Sequence, residues 1–232
     1  MLTKRLAACA EYVEGSGIVC DLGTDHAYLP VFLVKSGRCD TAYACDVASG
    51  PLESARANIE RAGLSGKIKT ILSDGLDSVP VEGVSDVVIA GMGGELIASI
   101  LSRAPDLSGI NLVLQPNTRE PELYVWLRKN GYEIAAQKAC EDGKFVYLVF
   151  KAHRAESKVP QEYSELESIA GKLDIRLEES KKYIRRKINR IESAAAGMRL
   201  SEENSALSRR ADSLEELAGR LREYLSEGDL HD

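Results

Sequence analysis

Between residues 19 and 30 the chain reads Val-Cys-Asp-Leu-Gly-Thr-Asp-His-Ala-Tyr-Leu-Pro, a β-rich run that passes through one glycine into a helical pattern. A strand, turn and helix of this kind allow close backbone approach at Gly23 and point N–H groups of the helix start at a ligand. Pro30 fits only in a first helical turn, so the helix must open near Tyr28. The dinucleotide fingerprint GxGxxG is absent, because Asp25 and Tyr28 stand where its second and third glycines would be. Carboxylates at the turn, Asp21 and Asp25, suit a ligand carrying an ammonium better than one carrying a pyrophosphate. The competing reading of Asp21 is a side chain that stabilises the turn.

Further acids and glycines close the next β-rich runs. Asp46 follows Gly23 by 23 residues, where a carboxylate can accept both hydroxyls of a ribose. It could equally cap the helix that begins near Ser49. Ser73-Asp74-Gly75 puts an acid where an adenine amino group could be met, although an ordinary Asp-Gly turn has the same pattern. Gly91-Met92-Gly93-Gly94 concentrates three glycines, which cost backbone entropy unless something must approach closely. Gln115-Pro116-Asn117 adds two amides at the same level, able to read a base or to cap the next helix. A zwitterionic amino-acid tail joined to a nucleoside fits this set, so S-adenosylmethionine (SAM) is the expected cofactor, bound by Asp21, Gly23, Asp25, Asp46, Asp74, Gly75, Gly91 and Met92.

These residues need a parallel sheet to bring them to one edge. The first 151 residues alternate strand-like and helical patterns, with strands expected at 17–22, 41–46, 68–73, 85–90, 111–115, 132–140 and 144–151. Helices are expected at about 3–13, 28–36, 50–62, 95–102 and 119–130. The last two strands meet across Glu141-Asp142-Gly143 as an antiparallel hairpin, which gives the Rossmann-like, seven-stranded α/β plan common among class I methyltransferases. Beyond His153 the pattern turns wholly helical. Leu207, Ala211, Leu214, Ala218, Leu221 and Leu225 form a heptad seam, and Leu166, Ile169, Leu173, Leu177, Ile184, Ile188 and Ile191 form another. Gly197 should stop the first helix and Ser201-Glu202-Glu203 start the second, giving a helical coiled-coil hairpin. The expected domains are therefore 1–153 and 154–232.

The chain's 232 residues carry a net charge of −6, which argues against broad nucleic-acid affinity. One basic cluster stands apart: Lys181, Lys182, Arg185, Arg186, Lys187 and Arg190 fall within ten residues that hold no acid. Five cysteines without a CxxC pair, and three scattered histidines, suit reduced core thiols and no metal site. No apolar run approaches membrane-spanning length, so a cytoplasmic protein is expected, and a monomer.

The strings Asp-x-Gly-Thr-Asp-His-Ala-Tyr-Leu-Pro at 21–30, Ala-Gly-Met-Gly-Gly at 90–94 and Leu-Gln-Pro-Asn at 114–117, followed by a coiled-coil tail, resemble the TrmK family. Members are bacterial tRNA (adenine-N1)-methyltransferases that use SAM to modify the adenine at tRNA position 22, in the D-loop. The resemblance departs at Phe145-Val146-Tyr147, where the family pattern has Phe-Tyr-Glu. It implies a SAM-dependent enzyme acting on tRNA, with the target adenine extruded from its stack. Asp25 would offset positive charge on the methylated base, and His26 would accept the surplus N6 proton. Tyr28, Gln115 and Asn117 would face the acceptor base, with Asn117 counted among the catalytic residues. Lys182, Arg186 and Arg190 would hold tRNA phosphates. The alternatives are a SAM methyltransferase acting on another RNA or on protein, and a non-catalytic RNA-binding protein.

Overall fold

A computed structural model describes residues 2–156, 163–200 and 205–229. Seven strands form one sheet in the order β3-β2-β1-β4-β5-β7-β6. They are β1 (Ile18–Leu22), β2 (Ala42–Asp46), β3 (Ile68–Leu72), β4 (Val84–Gly93), β5 (Asn111–Thr118), β6 (Tyr132–Asp142) and β7 (Phe145–Arg154). The first five are parallel and β7 runs antiparallel to both β5 and β6. Helices α1 (Lys4–Tyr12), α2 (Tyr28–Lys35), α3 (Ser49–Arg61), α4 (Gly94–Arg103) and α5 (Glu120–Lys129) cover the sheet. The central strands β1, β4 and β5 carry buried apolar runs at Val19–Cys20, Val87–Ile89 and Leu112–Leu114, as a sheet covered on both faces requires.

Strands β4 and β5 continue past their expected ends. Gly91–Gly93 belong to β4 and pair irregularly with β5 (Met92 with Pro116, Gly93 with Thr118) instead of forming a loop. The irregular register accommodates Pro116, which has no N–H to give the ladder. The β6–β7 turn likewise shortens to Gly143 and Lys144.

Helix α1 is held at both ends. Asp86, wholly buried on β4, accepts from the Glu14 and Gly15 N–H groups at 2.8 and 2.9 Å, from Ser85 Oγ at 2.6 Å and from Asn111 Nδ2 at 2.7 Å. Asn111 Nδ2 also donates to the Tyr12 carbonyl at 2.8 Å, so the buried carboxylate fixes where α1 ends. At the opposite end Arg5 reaches the carboxyl edge of the sheet.

The chain divides into two compact units, Met1–Glu162 and Tyr163–Asp232. In the second, the expected long first helix is broken into α6 (Glu165–Ile169), opened by a capping box at Ser164 and Glu167, and α7 (Glu178–Arg199). Leu177 is the N-cap of α7 and is exposed rather than part of the seam. Gly197 does not end α7, which runs two residues further. The start expected at Ser201-Glu202-Glu203 lies outside the described residues; α8 spans Ser205–Asp229. Arg199 pairs with Asp212 and Glu215, and Glu192 with Arg222, so α7 and α8 run antiparallel. Ile184, Ile188, Ala211, Ala218 and Leu221 of the expected seams are buried between them, joined by Leu217.

Candidate active site

The strand order reverses between β1 and β4, so a crevice opens outside their carboxyl ends. A cavity of about 130 Å³ lies there, lined among others by Gly23, Asp46, Asp74, Gly75, Met92 and Leu96. Pockets for whole drug-sized ligands run to about 300–1,000 Å³. A nucleoside with a tail would therefore fill the cavity with one part and lie along the open edge with the rest. Gly23 has φ +75°, a left-handed conformation that strains any residue with a side chain, and a Cβ there would also displace the Met92 methyl group. Gly75, at φ +60°, would collide with Ile100 at 2.8 Å.

The acids sit at the rim in different states. Asp46 Oδ1 accepts the Ala48 N–H at 2.9 Å, a turn bond ahead of α3 and not the expected helix cap, since Ala48 is the N-cap and has no side-chain cap; a carboxylate has about four acceptor positions and this bond takes one. Asp74 is bound by Arg103 at 3.1 Å, and the same guanidinium holds Asp77 at 2.9 Å. Asp21 is buried on β1, and desolvation pushes its carboxyl up to about 7. The Thr24 hydroxyl beside it, although outside hydrogen-bond geometry, and the Arg5 cation both pull the value down. Nearby Asp46 pushes it up slightly.

On the β1–α2 loop, His26 Nε2 stands 3.4 Å from Asp25 Oδ2, and its ring lies 5.2 Å from that of Tyr28. The His26 carbonyl accepts from Asn58 Nδ2 of α3 at 3.0 Å, so backbone bonding also anchors this turn. Ala27 takes a left-handed conformation to start α2, which puts Pro30 in the first turn. Tyr28 and, one turn on, Phe32 are exposed.

Gln115 departs from expectation. It does not face outward but is wholly buried, and its amide is saturated by protein groups. Asn117, two residues further, is exposed. Sequence reasoning missed Arg5, whose Nη1 donates to Gln115 Oε1 at 2.5 Å across 110 residues of chain, a contact no local pattern announces. It also missed Leu96 and Ile100, which line the cavity from α4.

Lys182, Arg186 and Arg190 lie in the second unit and contribute no lining residue to this cavity. On α7 all three are exposed, whereas Lys181 turns inward and stands 3.6 Å from Glu178. Arg185 approaches the same Glu178 at 3.9 Å, so the basic cluster has an acid just before it. Among the described residues no group of three or more His, Cys, Asp or Glu could hold a metal ion, and no helix is long and apolar enough to cross a membrane.

The sheet order and switch-point cavity define a Rossmann-like methyltransferase domain, and a family model described as a methyltransferase domain matches residues 2–150. A Bacillus subtilis tRNA (adenine(22)-N(1))-methyltransferase is 37% identical over 153 residues, covering 65% of this chain and 64% of its own length. The crystal structure of the B. subtilis m1A22 tRNA methyltransferase TrmK has a TM-score of 0.84 at 26% identity, over 97% of this chain and 99% of that one. TrmK of M. capricolum, solved with S-adenosyl-homocysteine, has a TM-score of 0.79 at 28% identity, over 97% and 98%. The chain belongs to the methyltransferase-domain family and, within it, to the TrmK family.

Proposed function

We propose that this chain is a SAM-dependent tRNA methyltransferase that transfers a methyl group to N1 of the adenine at position 22. The observation that carries the reading is the cavity at the switch point, with Asp46, Asp74 and two side-chain-intolerant glycines around it, in a chain of this family. The residues fit the cofactor. Leu22, Leu96 and Ile100 offer an apolar flank to a base, Asp46 accepts ribose hydroxyls, Asp74 meets the adenine amino group and Gly23 lies at the amino-acid end. Asp21 and Asp25, outside the cavity lining, hold that end from β1 and the β1–α2 loop. Gly75 and Met92 complete the lining by backbone and packing, whereas Gly91, the residue before Met92 on β4, is not part of it.

When bound, SAM supplies a methyl group on a sulfonium, and adenine N1 already carries the lone pair that attacks it. The protein's task is therefore alignment, to which in-line positioning contributes most. Asn117 faces the acceptor base, Tyr28 offers it a ring to pack on, and Asp25 offsets the positive charge that develops on it. His26, held beside Asp25, accepts the N6 proton released afterwards. The exposed stripe Lys182, Arg186 and Arg190 holds tRNA phosphates. All five cysteines are buried and unpaired, which suits a protein of the reducing cytoplasm, and we read it as a monomer.

Incubating unmodified tRNA with labelled SAM and analysing its nucleosides by mass spectrometry tests the reading; label in 1-methyladenosine is the expected result, and unlabelled RNA in the presence of bound SAM overturns it. Asp46→Ala should weaken SAM binding by about 1.5–3 kcal/mol, the cost of losing hydrogen bonds to a charged group. Unchanged affinity by calorimetry would remove Asp46 from the cofactor site. Asn117→Ala should lower turnover about tenfold or more while SAM affinity stays within twofold, as misplacing a reacting group does. A loss of SAM binding with normal turnover at saturating SAM would reverse that assignment.

A further inference from the structure

We infer that Arg5, acting through the buried amide of Gln115, is a positioning residue that holds the Asn117 side chain in place at the acceptor site. This rests on the methyltransferase reading for its consequence and on geometry for its substance. Two donors converge on Gln115 Oε1: Arg5 Nη1 at 2.5 Å and the Gly91 N–H at 3.0 Å. An atom facing two obligate donors must be the carbonyl oxygen, because a guanidinium and a backbone N–H cannot accept. The other end of the amide is therefore Nε2, which donates to the Pro116 carbonyl at 2.8 Å and to Asn117 at 3.2 Å. The Asn117 atom it meets must in turn be Oδ1, and Asn117 Nδ2 then donates to the Gly91 carbonyl at 2.7 Å.

Donor and acceptor alternate around this loop without choice. Flipping either amide would set donor against donor or acceptor against acceptor in a site where Gln115 has no access to water to relieve it. The Gly91 N–H and carbonyl and the Pro116 carbonyl set the direction of both amides, and the Arg5 cation on α1, the helix that precedes the sheet, braces Gln115 and with it the exposed Asn117. Arg5 is itself steadied by the Tyr147 ring, 5.8 Å from its guanidinium carbon, and by its own N–H, which donates to Asp142 at 3.3 Å. Gly91 must be glycine for the same reason: at φ +85° a Cβ would stand 3.0 Å from Arg5 Nη1. Asn117 has one acceptor position and one N–H beyond those used in the loop. Their arrangement decides whether an acceptor or a donor faces the adenine edge.

The test is a double-mutant cycle on the full chain. Arg5→Met should lower kcat on tRNA at saturating SAM about tenfold or more. Arg5→Lys, which keeps a cationic donor, should recover most of the loss. If Arg5 acts through Asn117, adding Arg5→Met to Asn117→Ala should cost little more than Asn117→Ala alone. Additive losses would overturn the proposal, as would equal activity of the Met and Lys variants. The NMR signal of the Asn117 side-chain amide, followed without tRNA, separates this claim from the functional reading. A shift in Arg5→Met, largely restored in Arg5→Lys, is expected whatever the protein methylates, and an unmoved signal sinks the proposal.

Discussion

Asp21→Asn is expected to stabilise the protein above pH 7 and to remove the share of the stability change between pH 4 and pH 7 that Asp21 contributes. A carboxyl group in an unfolded chain titrates near 3.9, whereas burial pushes Asp21 up to about 7. Between those values the folded protein holds a proton that the unfolded chain has lost. The contribution of Asp21 is therefore most favourable below pH 4 and falls as pH rises, by about 1.4 kcal/mol per unit, until it levels off above pH 7. Over the full interval this amounts to roughly 4 kcal/mol. Asparagine is neutral throughout and escapes that loss. Urea unfolding at pH 5 and pH 8 measures it: the wild type should lose stability relative to the variant as pH rises, and parallel profiles would show that Asp21 ionises in the fold as it does in water.

The same burial has a functional consequence. A ligand ammonium placed against Asp21 favours the ionised form, so binding below pH 7 must expel the proton. SAM affinity should rise with pH up to about 7, approaching tenfold per unit well below it, and Asp21→Asn should flatten that dependence while weakening binding. A costly buried carboxylate at the end of β1 is the kind of local conflict that a binding site retains.

How much of the molecule is written locally in the chain follows from the range of each interaction. The alternation of β-rich and helical patterns fixes the parallel sheet, and with it the gathering of Gly23, Asp46, Asp74 and Gly91 at one edge, because the carboxyl ends of parallel strands share that edge. Gln115 is misjudged from sequence because its polarity suggests solvent, and only tertiary structure supplies the Arg5 and Gly91 donors that allow an amide to be wholly buried. The irregular pairing that carries β4 to Gly93 and β5 to Thr118 is likewise a property of two strands together. In the helical unit, apolar spacing across Leu166, Leu173 and Leu177 continues through the break between α6 and α7, since a period alone does not register the turn after Ala170, where Gly171 takes φ +40°.

The other large effect should come from α7. Replacing Lys182, Arg186 and Arg190 together with Ser is expected to weaken tRNA binding severalfold to a hundredfold at physiological salt and to flatten its salt dependence, by up to about 0.9 in the log–log slope for each phosphate no longer neutralised. The four-residue spacing sets these cations in one row along the helix, and all three are exposed. Their neighbour Lys181, which is buried, serves as the comparison: Lys181→Ser should change the salt slope less than any single change in the exposed row. SAM affinity should be unaffected by the triple change, because none of these residues lines the cavity. Filter binding from 50 to 300 mM salt, on the order of the range where counterion release dominates, distinguishes the outcomes. A triple variant with wild-type slope and wild-type methylation would make the row a solvated helix face, its charges serving solubility instead of RNA.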